Sequence, residues 1–202
     1  MFTEVLMPSE DAIERAAALI RQGQLVAFPT ETVYGLGANA LDPDGIRRIY
    51  AAKERPADNP LIAHISEVSQ LRPLIACEPG ALAERMIQAF WPGPLTMIFP
   101  RAACVPACLS AGLDTVSVRL PAHPVARALI SAAGVPIAAP SANRSGRPSP
   151  TAARHVFEDM NGRIPLILDG GECEVGLEST VVDMTGDAPR ILRPGGITAE
   201  MI

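Results

Sequence analysis

The sequence predicts an α/β domain built on a mixed sheet. Short apolar runs alternate with amphipathic stretches through the first two thirds of the chain, which threads strands and helices in turn. The last apolar runs follow one another without a helix between them, so the sheet is a mixed parallel/antiparallel one, twisted and flanked by helices, rather than purely parallel. Prolines, 20 in 202 residues against a usual share of about 5%, mostly stand where those runs end.

Each element has its own signal. Ser9 is placed to cap a helix with Glu10 and Asp11 in its first turn and Ile13, Ala16, Ala17 and Ile20 at helical spacing, until Gly23 stops it. LVAF (25–28) reads as a buried strand ended by Pro29, and PTETVYGLGANAL as a turn-rich segment. Asp42 then caps a helix with Pro43 at its first position. LIAHI (61–65) is the next strand, followed by helical patterns in SEVSQLRPLI and PGALAERMIQAFW. LTMIF (95–99) and TVSVRL (115–120) read as strands, HPVARALISAAG as a helix ending at Gly134, and VPIAAP as a short strand. TAARHVFEDM is a helix with Thr151 at its cap, and LILDGG, STVVDM and PRILRPGG close the chain as three short strands.

Composition narrows the function. With 48% hydrophobic and 19% charged residues the chain is globular, and its length fits one domain over 1–202. A net charge of -5 argues against a generic nucleic-acid binder, which shows a basic stripe. The N-terminus MFTEVLMPSED lacks the regions of a signal peptide and no apolar run would span a bilayer, so a cytoplasmic protein with no membrane partner is expected. Cys77, Cys104, Cys108 and Cys173 form no C-x-x-C pair and the three histidines are scattered, so buried free thiols are expected rather than a metal site.

Several familiar signatures fail on context. Gly35, Gly37 and Ala40 match G-x-G-x-x-A, but that segment does not open a helix as a dinucleotide fingerprint must. There is no P-loop and no G-x-S-x-G; Ser141-x-Asn143 echoes the S-D-N of penicillin-binding enzymes, but their S-x-x-K is missing.

Five polar loops remain, each beside a predicted strand: PTET, KERPADNP, the Thr115–Arg119 region, SANRSGRPS and Glu178-Ser179-Thr180. Any one could be a solvated turn, since Ser, Asn and Pro make turns. Together their chemistry suits phosphate. Lys53, the single lysine of the chain, lies two residues before Arg55; Arg144 and Arg147 share a hydroxyl-rich loop; Arg193 precedes Pro194-Gly195-Gly196. Arginine forks grip phosphate oxygens in pairs, a lysine supplies a point charge, and loop hydroxyls and amides add donors.

FPTETVYGLG, KERPADNPLIAHI, SVRLP, APSANRSGRPSPT, ESTVVD and ILRPGGIT together resemble the YrdC-like threonylcarbamoyl-AMP synthases, from about Gly23 to Thr198. The resemblance implies a single YrdC-like domain with a concave, positively charged site. It implies an enzyme that condenses L-threonine, bicarbonate and ATP into threonylcarbamoyl-adenylate with release of pyrophosphate. Threonine contacts are implied for Thr32, His64, Arg119, the Ala139 backbone and Ser179. ATP contacts are implied for Arg55, Asn59, Thr115, Ser141, Ser149 and Arg193, with Lys53 and Asn143 completing K-x-R and S-x-N. Lys53 and Arg55 are the expected catalytic pair, with a magnesium ion carried by the ATP and no dedicated protein ligands. The product would pass to tRNA threonylcarbamoyl-transfer proteins. Ending soon after RPGGIT, the chain is expected to be a short form or a truncated long form.

Two other readings compete. A basic concave face could hold double-stranded RNA or tRNA without adenylate chemistry, in which case binding falls steeply with salt and ignores threonine. A carbamoyl-adenylate transfer domain using carbamoyl phosphate normally belongs to a much larger protein.

Overall fold

In a computed structural model, described over residues 2–202, ten strands form one sheet flanked by five α-helices. In chain order these are β1 (Glu4–Leu6), α1 (Glu10–Arg21), β2 (Val26–Phe28), β3 (Gly35–Asn39), α2 (Pro43–Lys53), β4 (Ile62–His64), α3 (Ala81–Phe90), β5 (Leu95–Pro100), β6 (Thr115–Arg119), α4 (Pro124–Ala133), β7 (Ile137–Ala138), α5 (Ala153–Met160), β8 (Leu166–Leu168), β9 (Thr180–Asp183) and β10 (Arg190–Arg193). Across the sheet the order is β1-β8-β2-β3-β7-β4-β6-β5-β9-β10. The pairs β1·β8, β2·β8, β4·β6 and β5·β9 are parallel and the other five antiparallel, so the sheet is mixed as expected.

The core lies on both faces of the sheet because strand side chains alternate. Val26, Phe28, Leu166 and Leu168 point to the face covered by α1 and α4, where Ala16, Ala17, Ile20, Leu129 and Ile130 are buried. Ala27 and Ile167 point to the other, with Ile46 and Ile49 of α2, Met86 of α3 and Val156 of α5. Ser9 accepts the Ala12 N–H, and Asp42 the Asp44 N–H, so both predicted caps are formed.

Four local expectations are corrected. The turn-rich segment after Pro29 contains β3, antiparallel to β2; GLGAN carries no β-branched or aromatic residue, because it passes where a Cβ on Gly37 would collide with Phe28 and Ile137. SEVSQLRPLI forms two 3-10 turns, Val68–Gln70 and Arg72–Leu74, in place of a helix; Pro73 lacks the N–H a continuous helix would need. Ala152, not Thr151, stands at the N-cap of α5, without a side-chain cap bond. The four cysteines are free, but Cys77 and Cys104 are exposed and Cys108 and Cys173 only partly covered, so they are not buried thiols. Among the described residues no helix is long and apolar enough to cross a membrane.

Candidate active site

Where β2, β4, β6 and β7 end, the loops that follow or precede them enclose a cavity of about 320 Å3, within the range of roughly 300–1,000 Å3 typical of small-molecule sites. Its floor begins with Thr30. The Thr30 hydroxyl donates to Val33 O at 2.7 Å and accepts the N–H groups of Thr32 and Val33, which bends the chain sharply between β2 and β3. That turn directs Thr32 to Arg119, whose Nη1 donates to the Thr32 hydroxyl at 2.9 Å.

Arg119 ends β6 and is the register partner of His64 in β4. Its Nη2 donates to Glu31 Oε1 at 2.6 Å and its Nε to Gly93 O at 3.2 Å. Glu31 Oε2 accepts the Ala122 N–H. A guanidinium has five N–H donors; with three engaged, one remains on each terminal nitrogen. The fork is therefore fixed in place, with two donors left for a ligand. His64 is buried, with Nδ1 3.2 Å from Ile62 O and its ring edge-on to Phe28. Burial, then the neighbouring Arg119, push its pKa down to about 3, so the imidazole is neutral. Ala139 gives its N–H to Ile62 O, leaving the carbonyl as the backbone group it offers the cavity.

The K-x-R and S-x-N motifs meet directly. Lys53 is the last residue of α2, where Glu54 turns the chain left-handed (φ 53°). Its Nζ donates to the carbonyl of Ser141, to that of Asn143 at 2.6 Å and to Asn143 Oδ1 at 3.3 Å. An ammonium has three donors, and all three are engaged. Burial first and Arg55 second lower its pKa to about 8. Lys53 thus ties the end of α2 to the loop of Ser141 and Asn143. Arg55 is freer: it lies over the Tyr50 ring at 5.9 Å and donates to Asn59 O.

The floor ends at Ser179, just before β9, and above it the far wall rises to the rim at the end of β10 and the chain after it. Ser179 shares a hydrogen bond with Thr96 at 2.7 Å, and Arg193 donates to its carbonyl and hydroxyl. Gly195 passes so close to β9 that a Cβ there would collide with backbone atoms of Glu178, Ser179 and Thr180. Ser149 donates to Glu178 Oε1 at 2.5 Å, and this bond holds the Glu178 carboxyl below its usual range.

Of the residues expected from the sequence, Thr32, Lys53, Arg55, Asn59, His64, Arg119, Ala139, Ser141, Asn143, Ser179 and Arg193 line this one cavity. Thr115 and Ser149 do not line it; Thr115 lies at the opposite end of β6 from Arg119, and Ser149 stands behind Glu178. Arg144 and Arg147 do not line it either; they pair with Glu54 and Asp159. Sequence reasoning missed Thr30, Glu31 and Glu178, although all three stand inside the quoted PTET and EST motifs. Lys53, Arg55, Arg119 and Arg193 face a single carboxylate, Glu178, among the described residues that line the cavity. Glu31, which pairs with Arg119 at 2.6 Å, sets a second carboxylate against these four cations.

Residues 18–195 match the family model Sua5_yciO_yrdC, described as "Telomere recombination". The chain belongs to the Sua5/YciO/YrdC family. It is 57% identical over 190 residues to a threonylcarbamoyl-AMP synthase of Pyrococcus abyssi, covering 94% of this chain and 56% of that protein. A Bacillus subtilis threonylcarbamoyl-AMP synthase is 54% identical over 204 residues, covering 99% of this chain and 58% of its own length. The crystal structure of P. abyssi Sua5 complexed with L-threonine superposes with a TM-score of 0.93 at 54% identity, over 98% of this chain and 58% of that one. The chain thus spans little more than half the length of these family members.

Proposed function

We propose that this chain condenses L-threonine, bicarbonate and ATP into threonylcarbamoyl-adenylate, releasing pyrophosphate, for eventual transfer to tRNA by partner proteins. The observation that carries this reading is the cavity itself. A buried Thr32–Arg119 pair adjoins Arg55, Lys53 and Arg193 in a fold that superposes on a Sua5 complexed with L-threonine.

In this reading the two unengaged donors of Arg119 hold the threonine carboxylate, as a fork suits a carboxylate. Thr32, Ser179, His64 and the Ala139 carbonyl surround the rest of the amino acid. Its free amine adds to carbon dioxide, which bicarbonate yields with loss of hydroxide; the proton leaving the nitrogen joins that hydroxide as water, and a carbamate results. A carbamate oxygen then attacks the α-phosphorus of ATP, and pyrophosphate leaves with the bonding pair. Carbamates decompose in water, so positioning and water exclusion are the main demands on the protein. Arg55 and Arg193 face the growing phosphate charge, with Asn59 and Ser141 beside them, and Lys53 holds Asn143 and Ser141 in line.

A magnesium ion would come with the triphosphate and take its ligands from phosphate oxygens and water. The residues offer it no cage: among the described residues no three His, Cys, Asp or Glu side chains converge.

The deciding experiment supplies ATP, L-threonine and labelled bicarbonate with magnesium. Label should enter a threonylcarbamoyl-adenylate, with one pyrophosphate released per product. Pyrophosphate release without threonine, or no labelled adenylate, would overturn the reading.

A further inference from the structure

The outer wall of the cavity is a turn, Asn143 to Arg147, that supplies Asn143, Ser145 and Gly146 to the lining. Most of it is exposed; besides its internal bonds to the Arg144 carbonyl and the Ser145 N–H given to Lys53 O at 2.9 Å, it is held from α5. Asp159, in the last turn of α5 and only 8% exposed, accepts the Arg144 N–H on Oδ2 at 3.1 Å and Arg147 Nη1 on Oδ1 at 2.6 Å. The Arg147 carbonyl in turn accepts Asn143 Nδ2 at 2.6 Å, and Asn143 accepts from Lys53. An unbroken path of bonds therefore runs from α5 to the buried lysine.

Nothing in α5 itself favours a carboxylate here. It opposes the negative end of the helix dipole, and burial adds a desolvation cost. Both oxygens are instead spent on the turn, one on its backbone and one on an arginine whose side chain points away from the cavity lining.

We propose that Asp159 is a positioning residue: from outside the cavity it sets the shape of the Asn143–Arg147 turn and so places Asn143 against Lys53 and the turn against the ligand. It touches no reacting atom and acts through Asn143. For ligand effects this rests on the reading of the turn as the nucleotide side.

The test compares wild type with Asp159→Ala, which removes both acceptors, and Asp159→Asn, which keeps the volume and carries the same measurements should the alanine variant not fold. In ligand-free protein, backbone hydrogen exchange in a peptide covering 142–148 should quicken about tenfold or more, the scale of a lost charge-assisted bond. A peptide covering β2 and β3 should keep its rate. In calorimetry, ATP affinity should fall about 10- to 100-fold, the scale of a misplaced binding group, with threonine affinity unchanged. Combined with Asn143→Ala, the loss should be smaller than the product of the two single losses, because both act on one path. Unchanged exchange in the turn would overturn the proposal. So would equal losses for both ligands that track a lowered Tm, or losses that simply multiply. Should wild type bind no ATP, the reading of the cavity falls, and the exchange measurement alone decides the role of Asp159.

Discussion

Thr32, His64, Arg119 and Ser179, in the floor of the cavity, are each at most 3% exposed, whereas Arg55, Asn59, Ser141 and Arg193 around the rim are partly or fully exposed. The floor is already bonded before any ligand arrives: Thr32 to Thr30 and Arg119, Arg119 to Glu31 and Gly93, Ser179 to Thr96. Such a site discriminates by shape, because a wrong ligand leaves a buried polar atom without a partner. The rim is built of polar residues in contact with water, two of them, Arg55 and Arg193, charged. It recognises by electrostatics, with weaker geometric demands and greater sensitivity to salt.

The largest effect should come from the floor. On the proposed reading, valine, which replaces the threonine hydroxyl with a methyl of similar size, would leave a buried partner of that hydroxyl unpaired and should be rejected by about 10⁴ or more in kcat/KM. Serine lacks only the methyl and should lose roughly 10- to 200-fold. Pyrophosphate release at subsaturating amino acid measures both; valine matching serine would mean that the floor reads no hydroxyl.

Next comes Arg55→Ala at the rim. Turnover should fall about 100-fold, the scale of one lost electrostatic stabiliser, with Tm nearly unchanged because the side chain is not part of the core. Normal turnover in a folded variant would remove Arg55 from the phosphates.

Lys53→Ala sharpens the contrast inside a single motif. Two residues away from Arg55, Lys53 belongs structurally with the floor, and its loss strands the carbonyls of Ser141 and Asn143. Stability should drop by about 1–3 kcal/mol in denaturant titration, where Arg55→Ala shows almost none. Equal stability in the two variants would erase the distinction between floor and rim at this point.

An effect comparable to that of Lys53→Ala concerns pH. The folded pKa of His64, about 3, lies below the unfolded value of about 6.5. Between those values the unfolded chain binds a proton that the folded chain refuses, so stability is lost as the pH falls through that window. The slope should reach about 1.4 kcal/mol per pH unit, and His64→Asn should remove that part of it. Denaturant midpoints at about pH 7 and about pH 4.5 measure it; parallel losses in both proteins would mean that the imidazole is not held neutral in the floor.

The rim was more legible in the sequence than the supports of the floor. Arg55, Asn59 and Ser141 stand in loops, and Arg193 at the end of β10 before Pro194-Gly195-Gly196, where composition announces a ligand, and Ser9, Asp42 and Gly134 mark helix ends where the structure has them. The Glu31–Arg119 pair spans 88 positions, and no local pattern announces a bond of that reach. Asp159 hides for a different reason: on a helix surface a carboxylate looks solvated, and its partners come from another segment. Strand β3 escaped because its glycines satisfy close packing and not local propensity. The pairing of Arg144 with Glu54 and of Arg147 with Asp159 was hidden because charge can be read from sequence while its partner cannot.

Gly195 bears on how altered copies of this gene would be judged. Alanine for glycine is the smallest side-chain change available, and a survey ranking variants by chemical similarity would pass it as harmless. At this position the added methyl meets the backbone of β9 on its way past Ser179. The chain after β10 would have to back away, taking the Arg193 clamp with it. One carbon atom, uncharged and apolar, would then unfasten the far wall of the cavity.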